Sequence, residues 1–212
     1  MNDREYLTLG GPGESRYEEK RSVFLGFAAK FENETDVLAW LSSLKRAYPD
    51  ARHHVYAYRL REGNTTRYTD DREPQGTAGM PTLDVLKQKN LLDCAVCVIR
   101  YFGGTLLGTG GLVHAYGTAA ADAVKNAGIV KMTLRRAFTL PLSYSDHPRV
   151  QSILSDAGAT ITDVSYAEGV TVTGTGSADG TDALLRALSD ATAGRANPEW
   201  GDLVFSPVPV AD

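Results

Sequence analysis

The sequence contains no hydrophobic run long enough to cross a membrane. A membrane-spanning helix needs roughly 20 consecutive apolar residues, and no segment of the 212-residue chain approaches that length. The first residues, MNDREYLTLGG, include two acidic side chains and lack the apolar core of a secretory signal. The composition, 42% hydrophobic and 23% charged, is that of a globular protein and argues against disorder. We therefore expect a cytoplasmic protein with no membrane partner.

Cysteine is scarce, since Cys94 and Cys97 are the only two in the chain. Their CxxC spacing occurs in redox and metal sites, where it occupies a loop or a helix start. Here both lie within CAVCVIRYF, which has the composition of a strand. Positions three apart in a strand point to opposite faces. We therefore predict two buried thiols, and expect neither a disulfide nor a shared metal ion.

Several catalytic and nucleotide-binding motifs are also absent. The chain has no GxSxG elbow, no HExxH and no phosphate-binding loop ending in GKS or GKT, and its GTGG run lacks the GxGxxG spacing. Nucleophilic hydrolase chemistry therefore has no support in the sequence. We assign no catalytic residue and expect neither a metal nor a cofactor.

Charge is unevenly distributed along the chain. Residues up to Arg136 carry 19 Lys and Arg against 16 Asp and Glu, a balance of +3. Residues from Ala137 onward carry 3 against 10, a balance of −7, and the two balances add to the net charge of −4. We therefore expect any polyanionic partner to bind the first half.

The first half alternates strands with amphipathic helices. Strand composition covers residues 22–31, residues 53–60 and the short stretch TTRYTD. Apolar residues at helical spacing predict three helices: one capped by Thr35 and ended by Pro49, one over residues 80–89, and one from near Gly111 to Gly128. The most apolar strand of this half, residues 94–102, is followed directly by the glycine run GGTLLGTGG.

The second half has a different pattern. Its segments FTLPLSY, HPRVQSILSDAG, TITDVSY, VTVTGTG, TDALLRALSDA and DLVFSPV have the composition of strand, helix, strand, strand, helix and strand. This βαββαβ order is the split βαβ, or ferredoxin-like, arrangement. The sequence therefore predicts an α+β protein of two domains, residues 16–132 and 137–212, with a boundary near residues 132–137.

The strand–glycine–helix unit is the most suggestive of binding chemistry. Glycine lets the backbone approach a ligand closely, and the helix that follows offers free N–H groups and the positive end of its dipole. Arg100 and Thr109 add a charge and a hydroxyl. A phosphate on a nucleotide or on an RNA backbone fits this design, and a tight turn packing helix against sheet is the structural alternative. The glycines are Gly103, Gly104, Gly108, Gly110 and Gly111.

The segment DDREPQGTAG gathers Asp70, Asp71 and Glu73 ahead of a helix start. Clustered carboxylates bind Mg²⁺ or act as acid and base, and they also cap helix N-termini. His53 and His54 open a strand, so at most one of them faces a given cleft. If the fold brings Arg100 and Asp70 together there, that histidine is a candidate general base.

Four blocks of the sequence resemble a known family. RSVFLGF, ARHHVYAYRL, DDREPQGTAGMP and RYFGGTLLGTGGLVHAYG look like the signature blocks of the YigZ/IMPACT family and cover roughly residues 16–130. The acidic tail is similar to the C-terminal domain of bacterial YigZ proteins. The resemblance implies a first domain like the second domain of certain small-subunit ribosomal proteins. It also implies a tail like a C-terminal domain of elongation factor G.

Three sites depart from the family pattern. The family usually has glycine where this chain has Arg72, asparagine and cysteine where it has His54 and Val55, and arginine where it has His114. If the family's arginine contacts an anion, His114 weakens that contact at neutral pH, and Arg72 offers a replacement charge.

Two functional expectations follow. The implied folds occur in translation machinery, where they contact RNA, so we expect a non-enzymatic protein associated with RNA or the ribosome and linked to translation. Eukaryotic IMPACT proteins regulate translation initiation through an added N-terminal domain, so that role does not transfer.

The alternative is an enzyme, or a protein that binds a phosphate-bearing small molecule, with a cleft between the DDREPQGTAG and RYFGG loops. The residues expected to contact a ligand are His53, Asp70, Asp71, Glu73, Gly76, Thr77, Arg100, Tyr101, Gly103, Gly104, Gly108, Thr109, Gly110 and Gly111.

Overall fold

The structure, a computed structural model, describes residues 4–208. Within this range the chain divides into two compact units, one of residues 6–131 and one of residues 132–208 together with residues 4 and 5. Both units combine helices with strands, which confirms the predicted α+β class. No helix of the described range has the length and apolar character that a bilayer crossing requires.

The first unit is built on a five-stranded antiparallel sheet. The elements up to the end of this unit are β1 (Glu5–Leu9), β2 (Gly13–Glu19), β3 (Ser22–Lys30), α1 (Glu34–Ala47), β4 (His53–Arg59), β5 (Thr66–Thr69), α2 (Gly79–Gln88), β6 (Cys94–Tyr101) and α3 (Gly108–Ala127). The strands of the sheet lie in the order β2-β3-β6-β4-β5. A 3-10 turn, Glu62–Asn64, connects β4 to β5.

Both faces of this sheet are buried. Val96 and Val98 of β6 pack with α2 and α3, whereas Ile99, which points to the other face, packs with α1. Helix α3 lies very close to the sheet because β2 and β3 present glycines to it. A Cβ added to Gly13 would lie 2.2 Å from a carbonyl oxygen of α3, and one added to Gly26 would lie 2.5 Å from another.

The second unit has the predicted βαββαβ element order. Its strands are arranged β10-β7-β9-β8, and the pairs that β9 makes with β7 and with β8 are antiparallel. Both helices contribute to its core, in which Leu140 and Val172 of the sheet meet Val150 and Leu188. The elements are β7 (Ile129–Leu142), α4 (His147–Asp156), β8 (Thr160–Tyr166), β9 (Val170–Ser177), α5 (Thr181–Thr192) and β10 (Glu199–Val208).

Three element limits differ from the expected ones. Strand β7 begins at Ile129, ahead of the predicted strand FTLPLSY, so residues 132–137 lie inside it. Helix α1 is capped by Asn33, whose side chain accepts the Asp36 N–H at 2.9 Å, rather than by Thr35. Helix α3 begins at Gly108, before Gly111, because its glycine-rich first turn lacks the apolar spacing from which helices are predicted.

Cys94 and Cys97 are both buried, and they join different hydrophobic clusters on the two faces of β6. This confirms that both are core thiols. Burial raises the pKa of each thiol from 9.0 to about 12. The fraction present as reactive thiolate near neutral pH therefore falls roughly a thousandfold.

We expect iodoacetamide to label both cysteines far more slowly in the native protein than in urea, since neither access nor ionisation favours the reaction. Mass spectrometry of timed samples measures the two rates, and the urea-unfolded chain is the control. Native labelling of either cysteine at the unfolded rate would contradict its position in the core.

Candidate functional site

The candidate site lies at one end of the sheet of the first unit. The antiparallel register places Arg100 of β6 opposite both His53 of β4 and Phe24 of β3. Residues opposite one another in neighbouring strands point to the same face, so all three point toward α2 and α3. Two loops lead into those helices: residues 70–78, here called the acidic loop, and residues 102–107, here called the glycine loop.

Glu73 of the acidic loop is the centre of the site. Its Oε1 accepts a hydrogen bond from Arg100 Nη1 at 2.6 Å and one from the Tyr116 hydroxyl of α3 at 2.8 Å. Nε2 of His53 lies 3.8 Å from the same oxygen. The Arg100 and Glu73 side chains are only 6% and 5% exposed. One carboxylate oxygen thus connects the acidic loop, the sheet and α3, and we call these four residues the Glu73 cluster.

Tyr116 acts in this cluster as a neutral hydrogen-bond donor. Burial raises its pKa well above the ordinary value, and the Glu73 carboxylate raises it further because a phenolate would be repelled. The hydroxyl therefore keeps its proton across the physiological pH range. In the sequence, Tyr116 has the same helical spacing as the buried residues Leu112 and Ala119, so the pattern indicates a core position and gives no sign of the contact with Glu73.

The two histidines point to opposite faces of β4, as predicted. His53 Nδ1 lies 2.8 Å from the Asp71 carbonyl oxygen, and because a carbonyl only accepts, Nδ1 carries the hydrogen. His54 points toward α1, where its Nε2 lies 3.1 Å from the Tyr48 carbonyl oxygen. Burial lowers the pKa of His54. His53 is therefore the histidine that faces the cluster, and its carboxylate neighbour is Glu73.

Asp70 and Asp71 use their carboxylates inside the fold. Asp70 Oδ1 accepts the N–H groups of Ala78 and Gly79 at 3.0 and 2.8 Å, and its Oδ2 accepts that of Gly76 at 2.9 Å. It therefore satisfies backbone donors at the start of α2, as a capping residue does. Asp71 Oδ2 accepts the backbone N–H of His54 at 2.6 Å. Arg100 thus pairs with Glu73, while Asp70 serves the helix terminus.

Three other residues expected to contact a ligand lie outside the Glu73 cluster. Thr77 is buried, and its hydroxyl donates to the Pro74 carbonyl at 2.7 Å. Gly76 is exposed, with a φ of 78° that suits glycine. Tyr101 packs on the α1 face of the sheet, away from the Glu73 cluster.

The glycine loop combines close packing with open backbone. A Cβ on Gly103 would lie 2.1 Å from the carbonyl carbon of Arg21, so the loop and the β2–β3 turn touch only because that side chain is absent. The Gly103 N–H donates to Ser22 Oγ at 3.1 Å. Gly104 and Gly108 have φ values of 83° and 75°, which other residues rarely adopt.

The first turn of α3 has no such packing requirement at Gly110. Its φ is not positive, and a Cβ added there meets nothing within 4 Å. Thr109 and Gly110 are exposed and Gly111 is partly exposed. Among residues 4–208, no side chain caps this end of the helix. The N–H groups of this turn therefore remain open to an approaching anion.

Arg100 itself is enclosed. Its charge is balanced by Glu73, and within residues 4–208 its Nε is a buried atom with no hydrogen-bond partner. The cations that face solvent at this end of the sheet are instead Lys20 and Arg21 in the β2–β3 turn, Arg52 before β4, and Arg72 in the acidic loop. We call these four residues the basic rim.

The departures from the family pattern occupy distinct environments. Arg72 has a φ of 71°, in the left-handed region that favours glycine. Val55 is fully buried in the core. His114 is exposed on α3, and its ring meets Tyr17 edge-on with centroids 6.0 Å apart.

We expect Glu73→Ala to destabilise the first unit by about 3–5 kcal/mol, because it leaves the Arg100 cation buried without a partner. The matched control is Glu18→Ala, which breaks an exposed pair with Arg16 and should cost at most about 1 kcal/mol. Urea unfolding in a Trp200→Phe background measures both, since Trp40 then reports on the first unit. Equal effects of the two substitutions would refute the dependence on Glu73.

Comparison with known proteins places the chain in a family. It matches the Impact N-terminal domain over residues 20–124 and a domain of unknown function, DUF1949, over residues 140–195. The IMPACT family member YvyE of Bacillus subtilis is 28% identical over 201 residues, covering 94% of this chain and 93% of that protein. An IMPACT family member of Thermus thermophilus is 36% identical over 181 residues, covering 83% of this chain and 96% of that protein. A crystal structure described as that of a hypothetical protein has a TM-score of 0.60 at 28% identity, covering 92% of this chain and 96% of the other. The chain belongs to the YigZ/IMPACT family.

Proposed function

We propose that the protein is a non-enzymatic RNA- or ribosome-associated protein, and that it binds through the end of the first unit that carries the basic rim. The observation that carries this proposal is that four exposed cations lie at the end of the sheet from which the glycine loop leads into α3. The link to translation comes from the family resemblance, whereas the binding surface is argued from the geometry.

The rim is assembled by the sheet register. Val23 of β3 pairs with Tyr101 of β6, and Arg100 of β6 pairs with His53 of β4. The turn before β3, the residue before β4 and the loop after β6 therefore meet at one end. Arg72 reaches the same place, since its Nη2 donates to the Arg52 carbonyl oxygen at 2.5 Å.

Acidic residues near the rim are few and mostly engaged. The Asp71 carboxylate accepts a hydrogen bond from the His54 backbone N–H, and its Oδ1 lies 3.7 Å from Arg72 Nε. The Glu19 carboxylate accepts a hydrogen bond from the Tyr17 hydroxyl. Asp50 is exposed beside Arg52 in the chain. The excess of positive charge is small, so we expect moderate affinity and a marked dependence on salt, as phosphate contacts give.

A second candidate is a phosphate-bearing small molecule at the start of α3. The open N–H groups of the Thr109–Gly111 turn and the free space above Gly110 favour it. This candidate needs the helix terminus but not the whole rim. Variants of the two features therefore separate the two functions.

The RNA test uses the full chain at two salt concentrations. We expect the double variant Arg21→Ala/Arg72→Ala to bind RNA about a hundredfold more weakly, because each lost arginine removes a charge-assisted contact of about 1.5 kcal/mol, and to show a shallower salt dependence. The matched control is Lys87→Ala, which removes an exposed cation from the last turn of α2. Fluorescence anisotropy of a labelled RNA measures all three proteins.

The helix terminus is tested by Gly110→Ala, with Gly117→Ala of the same helix as its control, since a Cβ meets nothing within 4 Å at either position. Weaker RNA binding by Gly110→Ala alone supports phosphate contact at the α3 N-terminus. An ATP titration that Gly110→Ala weakens, with no RNA binding by the wild type, favours the small-molecule candidate. The RNA proposal is refuted if the wild type binds no RNA, or if the double variant binds as the wild type does.

A further inference from the structure

We infer that the nucleic acid bound at the basic rim is single-stranded RNA, with one base stacked on the ring of Phe102. This inference rests on the proposed function and specifies its ligand. The feature that motivates it is an exposed aromatic ring next to a cation of the basic rim.

Phe102 is the first residue after β6, and it is 46% exposed. Its ring centroid lies 5.5 Å from the Arg100 guanidinium carbon, and Arg100 is only 5% exposed. One side of the ring therefore covers the buried guanidinium, while the other side opens to solvent. A ring at this distance from a cation is attracted to it, and this attraction favours the observed orientation before any ligand arrives.

The two residues after Phe102, Gly103 and Gly104, add no side chains that could cover its ring. A Cβ added to Gly104 would meet no atom within 4 Å apart from its chain neighbours. Leu106 is 82% exposed and extends the apolar surface along the loop. A planar, weakly polar group of base size therefore has access to the ring.

A cation lies next to this ring. The backbone of Arg21 packs on Gly103, and its Nη2 lies 3.5 Å from the Thr105 hydroxyl on the same loop. A nucleotide that stacks its base on Phe102 can place its phosphate toward Arg21 or toward the start of α3. Aromatic stacking platforms combined with basic grooves are typical of single-strand binding, whereas duplex bases are already stacked and cannot reach a ring.

The test compares a single-stranded RNA of mixed sequence with the duplex formed from it and its complement, at equal length and salt. The variants Phe102→Leu and Phe102→Tyr separate aromatic stacking from simple apolar contact. Leucine keeps an apolar side chain without an aromatic face, whereas tyrosine keeps the aromatic ring. The control is Tyr166→Ala, which removes an exposed aromatic side chain of the second unit. Thermal melting establishes that each variant is folded.

We expect the wild type to bind the single strand about tenfold more tightly than the duplex. Phe102→Leu should lose most of this preference, and Phe102→Tyr and Tyr166→Ala should retain it. In Phe102→Trp, stacking of a base should quench the fluorescence that the new tryptophan adds to that of Trp40 and Trp200, and the wild-type titration is the control.

The outcomes separate this inference from the proposed function. If RNA binds but the duplex binds equally well, or if Phe102→Leu binds the single strand as the wild type does, the stacking inference is overturned and the RNA function stands. If the wild type binds neither form, both are overturned.

Discussion

The buried ion pair between Arg100 and Glu73 is the interaction on which the rest of the first unit's sheet end depends. Removing both charges from water is costly, and the cost is recovered only with good geometry and further hydrogen bonds. The structure meets this demand with a 2.6 Å contact and the added Tyr116 hydroxyl. Because Glu73 belongs to a loop, balancing the charge of Arg100 requires that loop to close over the sheet.

Closure of the acidic loop organises its surroundings in turn. It places Asp70 where three backbone N–H groups at the start of α2 need an acceptor, and it presents Arg72 at the edge of the surface. It also ties α3 to the sheet through Tyr116. The charges therefore have two separate roles: the buried pair fixes the geometry, and the cations of the rim remain exposed to solvent.

Much of this architecture could be predicted from local pattern. Strand alternation placed His53 and His54, and Cys94 and Cys97, on opposite faces, and helical spacing and turn residues gave the βαββαβ order of the second half. The pairing of Arg100 with Glu73 and Tyr116 could not be read in this way, since it depends on strand register and loop closure between residues far apart in sequence. The sequence predicted that Arg100 contacts a ligand. The structure shows that its side chain is buried and that its charge is balanced by Glu73.

The backbone at Arg72 has a consequence for how this surface is maintained. Asp71 and Arg72 have φ values of 40° and 71°, a region that costs a residue with a Cβ roughly 1–2 kcal/mol. Glycine, which the resembled family usually has where this chain has Arg72, adopts this conformation without the penalty. The chain thus tolerates a strained turn that carries an exposed guanidinium group. Glycine at this position would remove the conformational strain but also the positive charge. With arginine, the chain keeps the exposed charge and retains the strain.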